Sequence, residues 1–164
     1  MIDDLVSLLE DLDGIQHSPR YHPEGDALFH SLQAFELARR ATTDPVLWAA
    51  APFHDVGKAE EGPFHDEIGA DPLEGLLCPR AAWLVRHHLD LLKDPRASRR
   101  RYGGTRALRE LEMLRRWDLR GRDPDARVFS VERAMDELLA HGDSFLDTSS
   151  SEIADDGSFV AQLE

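Results

Sequence analysis

The sequence predicts an all-α fold. Three observations carry this reading. Apolar residues recur at three- and four-residue spacing along most of the chain, capping residues and prolines interrupt that pattern at short intervals, and no alternating Val/Ile/Thr run marks a strand. The 164 residues, 41% hydrophobic and 31% charged, suit one globular domain with a sizeable core rather than a disordered chain.

The elements follow in order. Ile2, Leu5, Val6, Leu8, Leu9 and Leu12 form a first helical stripe over 2–12. Ser18-Pro19 and His22-Pro23 then impose extended or turn geometry. Asp26 caps a helix to about residue 41. Asp44 before Pro45 is an N-cap with proline at the first helical position, and opens a helix to about His54. Gly57 and Gly62-Pro63 break the chain again. Further helices are predicted over 64–77, 79–92, 105–119 and 130–141, with Pro72 shortening, splitting or kinking the first of these. Residues 143–164 hold six acidic residues and no basic one, and read as an acidic flexible tail or linker beyond a folded domain at 1–142.

Charge and composition narrow the partners. Net charge is −13, which alone argues against nucleic acid. Yet residues 93–127 hold 12 of the 19 basic residues and only 6 acidic ones. Such a stretch is either a solvated arginine-rich face or a local hold on a phosphate backbone. No run approaches the roughly 18 apolar residues of a membrane span, so no membrane partner is expected. The acidic start, MIDDLVSLLEDLD, is no secretory signal. Cys78 is the sole cysteine, and a reducing cytoplasm is the expected location.

Four polar residues continue apolar helix faces that should point inward. His30 is in line with Ala34 and Leu37, His54 with Leu47, Ala50 and Ala51, and Asp118 with Leu111 and Leu114. Asp55 follows His54 where the helix is about to end. A buried carboxylate is costly unless paired or bound to a metal. Each residue alone could be satisfied separately, Asp118 for example by Arg122. Two imidazoles and two carboxylates from three helices together point to one metal site, suited to Mn, Fe, Co, Ni, Zn or Cu without distinguishing among them.

The order His30, then His54-Asp55 within FHDVGK, then Asp118 within RRWDLRGR resembles the HD superfamily of metal-dependent phosphohydrolases, over about residues 20–140. The resemblance implies a compact helical bundle with a central metal site. YHPEGDALFHSLQ at 21–33 and FHDEIGA at 64–70 are similar to the HD module of bacterial tRNA CCA-adding enzymes. The same segments with WLVRHHLDLL at 83–92 also resemble the HD module joined to a polynucleotide kinase in RNA-repair proteins. Both resemblances imply phosphoesterase activity on 2′,3′-cyclic phosphate or 2′-phosphate ends, with a nucleotide or RNA end as substrate. A kinase P-loop is absent from this chain, so a kinase domain would be a fused or adjacent partner.

The two-metal members of that superfamily imply a longer ligand series, which His30, His54-Asp55, His65, His87 or His88, and Asp118 match, with Asp55 bridging. Two ions roughly 3.5–4 Å apart could clamp the attacking and departing oxygens of a phosphoester. Periodicity does not choose between His87 and His88, and His65 is either a ligand or a phosphate contact. Lys58, one turn past the doublet, could neutralise a phosphoryl oxygen. Asp55, Lys58 and His65 are thus the expected catalytic groups. Arg20, His22, Lys58, Arg101 and Arg106, with Arg99 and Arg100, are candidates for substrate binding. Glu24 reads as an ordinary loop carboxylate, or as a hydrogen-bond partner of a ligand; His17 and His141 have no such placement. The same site could instead serve a nucleotidase acting on free nucleotides, a di-iron oxygenase, or a non-catalytic sensing module.

Overall fold

The computed structural model describes residues 1–60 and 63–148, and these are helical with no strand among them; three isolated β-bridges are the only extended pairings. The helices are α1 (Ile2–Glu10), α2 (Ala27–Ala41), α3 (Pro45–Phe53), α4 (His65–Ala70), α5 (Pro79–His87), α6 (Asp90–Lys93), α7 (Pro95–Tyr102), α8 (Arg106–Arg120) and α9 (Val131–Leu139). None is long and apolar enough to cross a membrane.

The caps read from sequence are made. Asp26 accepts from the Phe29 amide at 2.9 Å and Asp44 from the Val46 amide at 3.1 Å. The helix over 64–77 is shortened at Pro72 as expected: it ends at Ala70 and passes into a 3-10 turn at Asp71–Leu73, because Pro72 has no amide hydrogen to continue it. Two expectations need correction. The helix expected over 79–92 breaks after His87 and resumes at Asp90. Helix α7 was not expected at all. Its sequence, PRASRRRY, offers almost no apolar stripe, yet Asp94-Pro95 repeats the capping pattern of Asp44-Pro45, and Asp94 accepts from the Ala97 amide at 2.9 Å.

Helix α3 is apolar all round. Val46, Leu47, Ala49, Ala50, Ala51, Pro52 and Phe53 are all buried, as in a helix that neighbours surround on every side. It joins two core clusters. Phe53, Val46 and Ala49 face one built with α1, α5, α9 and Phe35 of α2. Leu47, Ala50 and Ala51 face another, with Ala34, Ala38, Leu84, Leu111, Leu114 and Trp117. The small side chains on the α2–α3 seam let the two backbones come close. The C-terminus of α3, carrying His54 and Asp55, is thereby carried into the middle of the protein.

The folded body also extends past residue 142. Phe145 is fully buried in the first cluster, its carbonyl accepts from the Cys78 amide at 2.6 Å, and the Asp147 amide donates to Leu76 at 2.9 Å. A two-residue apolar pair, Phe145-Leu146, among small polar residues is too short to give a periodic signal, so this docking was not legible in sequence. The remainder of the expected tail, residues 149–164, lies outside the described residues.

Candidate metal centre

Five helices and one 3-10 turn bring the site together. His30 comes from the first turns of α2, His54 from the end of α3, His65 from the start of α4, His88 from the end of α5 and Asp118 from the last turn of α8. Asp55 opens the 3-10 turn Val56–Ala59, and this turn sets Lys58 back over it. That turn lies tight on α4. A Cβ on Gly57 would stand 2.0 Å from the His65 carbonyl oxygen, and one on Gly69 would stand 2.6 Å from the Gly57 amide nitrogen. Only glycine fits at either position, and the contact sets the start of α4, and hence His65, against the doublet.

Three of the four imidazoles are aimed by their second nitrogen. His54 Nδ1 donates to the Ala51 carbonyl at 2.6 Å, and His88 Nδ1 to the Val85 carbonyl at 2.7 Å. His30 Nδ1 donates to the Gly121 carbonyl at 2.8 Å, with Glu24 Oε1 equally near. Anchoring Nδ1 in this way aims Nε2 inward, as in metal-binding histidines. The Nε2 atoms of His30, His54, His65 and His88 are all buried with no hydrogen-bond partner. Buried polar atoms are nearly always paired, so four such orphans around one point need an occupant.

Asp55 stands at that point, 2% exposed. Its Oδ2 lies 3.4 Å from His54 Nε2 and 3.7 Å from His30 Nε2. Its Oδ1 lies 3.3 Å from His65 Nε2 and 3.6 Å from His88 Nε2. Asp118 Oδ1 completes the first set, 3.2 Å from His30 Nε2. Two groups with metal-ligand spacing result, His30–His54–Asp118 and Asp55–His65–His88, with the Asp55 carboxylate between them. Lys58 Nζ is 2.5 Å from Asp55 Oδ2. Arg122 donates to Asp118 Oδ1 at 3.2 Å and to the Tyr21 carbonyl at 2.8 Å, so the pairing with Arg122 coexists with the place of Asp118 in the site.

The electrostatics suit cations. Burial opposes charge on Asp55, but His54 and Lys58 hold its carboxyl well below the usual range. Burial likewise opposes charge on Asp118, and His30 and His54 depress it. Burial pushes His54 down to about 4 and leaves it a neutral donor of electrons. His30 is buried too, yet Asp118 and Glu24 outweigh burial and lift it to about 9. The C-terminal end of α3 adds its partial negative charge. Imidazoles and carboxylates in these numbers fit one or two divalent transition ions, and do not select among them.

Other expected residues lie elsewhere. His87 turns away from the centre, bonds Asp90 at 3.0 Å and stacks on Trp83, so His88 alone of the pair joins the site. Arg106 is held by Glu110 at 2.6 Å and Asp44 at 3.2 Å, in a network with Arg80 that braces α3 against α8. Arg20 and Arg101 are exposed and lie over Tyr21 and Tyr102. Two residues were undervalued by the sequence reading. Glu24 is 8% exposed and contacts His22 and His30, each at 2.8 Å. His17 lies against His22, with ring centroids 4.2 Å apart, and burial pushes it down to about 4. Both sit on a loop, where periodicity says nothing about burial.

A model of the HD domain matches residues 28–134. The chain is 41% identical over 93 residues to a multifunctional CCA protein of Halorhodospira halophila, a match covering 47% of this chain and 22% of the relative. It is 38% identical over 79 residues to that of Methylococcus capsulatus, covering 44% and 18%, and 39% identical over 87 residues to that of Alkalilimnicola ehrlichii, covering 46% and 21%. The matched part is thus about one fifth of these relatives' length. A family match spanning more than half of the chain, on a helical body whose His-Asp doublet sits among converging imidazoles, places it plainly: the chain belongs to the HD domain family of metal-dependent phosphohydrolases.

Proposed function

We propose that the chain hydrolyses 2′,3′-cyclic phosphodiester ends, and 2′-phosphomonoester ends, of nucleotides or RNA, using two divalent metal ions. The observation that carries the two-metal part is Asp55, whose two oxygens face different imidazole pairs. His30, His54, Asp118 and Asp55 would hold one ion; Asp55, His65 and His88 would hold the other. Such ions supply Lewis acidity and lower the pKa of coordinated water to near neutrality.

The chain's own groups do the rest. Lys58, one-fifth exposed, reaches the site from its open side and can hold a phosphoryl oxygen while balancing the charge of Asp55. His30, His54 and His88 are buried away from bulk water, and their carbonyl anchors fix the ring orientations.

The substrate part rests on similarity to the multifunctional CCA proteins and on the arginine-rich face. Arg99, Arg115, Arg116 and Arg120 line a shallow cleft of about 450 Å³ with Leu91 and exposed Leu119, beside the helix end that carries Asp118. The test is a side-by-side assay of 2′,3′-cyclic, 2′-, 3′- and 5′-nucleotides with one metal, then of an oligonucleotide with a 2′,3′-cyclic end. The 2′,3′-cyclic substrates are expected to be cleaved fastest, and the oligonucleotide to lose more rate with added salt than the mononucleotide. Fastest cleavage of the 5′-nucleotide would establish a nucleotidase instead.

A further inference from the structure

A second cluster of ligand-type residues lies beside the paired centre without belonging to it. The loop between α1 and α2 is closed by backbone bonds. His17 donates to the Gly25 carbonyl at 2.7 Å, Ala27 donates to Ile15 at 2.8 Å, and Gln16 pairs with Asp26. Gly25 makes the return at φ 80°, a conformation side-chain-bearing residues rarely adopt. Inside the loop the amides of Tyr21 and His22 both donate to the Ser18 carbonyl, at 3.1 and 2.9 Å. This turn folds His22 over His17. Pro23 follows, and Glu24 is directed inward.

One ligand atom from each of His17, His22 and Glu24 lies within 4.8 Å of the other two. Three buried atoms of this cluster have no hydrogen-bond partner: both ring nitrogens of His17, and Glu24 Oε2. The Glu24 side chain is wholly buried. Its Oε1 is already shared by His22 and His30, and Oε2 is left over. An unpaired carboxylate oxygen and an unpaired imidazole are each expensive in a buried place. A phosphate or other anion would satisfy His17 but would be repelled by Glu24. A cation satisfies both at once.

We propose that His17, His22 and Glu24 form a third divalent-metal site, joined to the paired centre through Glu24, whose other oxygen holds His30. Two imidazoles and one carboxylate select a borderline transition ion, of the zinc, cobalt or nickel kind, over magnesium or calcium. This site goes beyond the phosphoesterase reading, because its occupancy does not depend on what the paired centre hydrolyses.

The experiment is elemental analysis of the full chain after cobalt loading and gel filtration, with the visible cobalt spectrum as a second reading. Wild type is expected to hold three equivalents, His17→Ala and His22→Gln two each, His88→Ala two, and the His17→Ala/His88→Ala double variant one. Circular dichroism checks the fold; if His17→Ala does not fold, His22→Gln carries the same test. Loss of one equivalent in the His17 or His22 variant supports the third site even if His88→Ala loses none, an outcome that would count only against the paired centre. Unchanged cobalt content and spectrum in folded His17→Ala and His22→Gln would overturn it.

Discussion

Metal binding to this chain should depend on pH through one identifiable proton. Asp55, Asp118 and Glu24 have depressed carboxyl groups and carry no proton at pH 7; His54, lowered to about 4 by burial, carries none either. His30 differs. Burial works against its charge, but Asp118 and Glu24 outweigh burial and raise it to about 9. Below that pH the ring holds a proton that an incoming ion must displace. At pH 7, two units below, displacement costs about 3 kcal/mol, or a factor of about 100 in affinity. The sign follows from a raised pKa in the metal-free state: apparent affinity should climb about tenfold per unit from pH 7 to pH 9 and then level off. Isothermal titration calorimetry with zinc or cobalt, in buffers of different ionisation enthalpy, reads the proton directly. At least one proton per chain should be released at pH 7, and release should fall toward zero above pH 9. Asp118→Asn removes a ligand, so it should weaken binding throughout, yet release less proton at pH 7. Affinity that is flat between pH 7 and 9, with no proton released, would refute this account of His30.

Three further outcomes follow from the geometry. His88→Ala should lose one metal equivalent and more than about tenfold in activity, whereas His87→Ala should keep the wild-type metal content and lose only about 1 kcal/mol of stability with its Asp90 bond, as urea melts and metal analysis will show. Gly69→Ala would drive a methyl group to 2.6 Å from the Gly57 amide nitrogen, so it should destabilise by about 1–3 kcal/mol and deplete the ion at His65 before the one at His30; equal loss of both would count against that packing. Arg106→Ala should cost roughly 0.5 kcal/mol and leave RNA-end hydrolysis unchanged, since its guanidinium is engaged with Asp44 and Glu110; a loss of RNA affinity at constant stability would restore it to substrate binding.

What sequence made legible follows one physical line. His30, His54 and Asp118 continue apolar stripes, and a helix that buries its stripe must bury them too; each is found facing inward. The choice between His87 and His88 was beyond that logic, because both follow an apolar residue by one turn. The structure separates them through aromatic partners: Trp83 and Tyr102 form a side pocket that takes His87, and the break of α5 leaves His88 over Asp55. Helix α7 escaped because its residues are mostly basic, and the docked Phe145 because the apolar pair it forms with Leu146 is too short to show a period. Glu24 and His17 escaped because their burial comes from bonds that close a loop, not from any period along the chain.

The position of the doublet has its own logic. An ionised carboxylate beside an imidazole at the centre of a domain would ordinarily threaten its stability. Here α3 carries no other polar side chain in its interior, so the neighbours it packs against gain apolar contact along its whole length. The cost is confined to its last turn, where the chain leaves the helix and side chains are free to gather. Gly57 and Gly69 let the next two elements close on that turn without an intervening side chain, and those elements bring Lys58 and His65. A larger residue at either glycine would open the gap that the second pair of ligands has to span. Removal of a methyl group's worth of space, more than removal of charge, is therefore the perturbation to which the His65 side of the centre is most exposed.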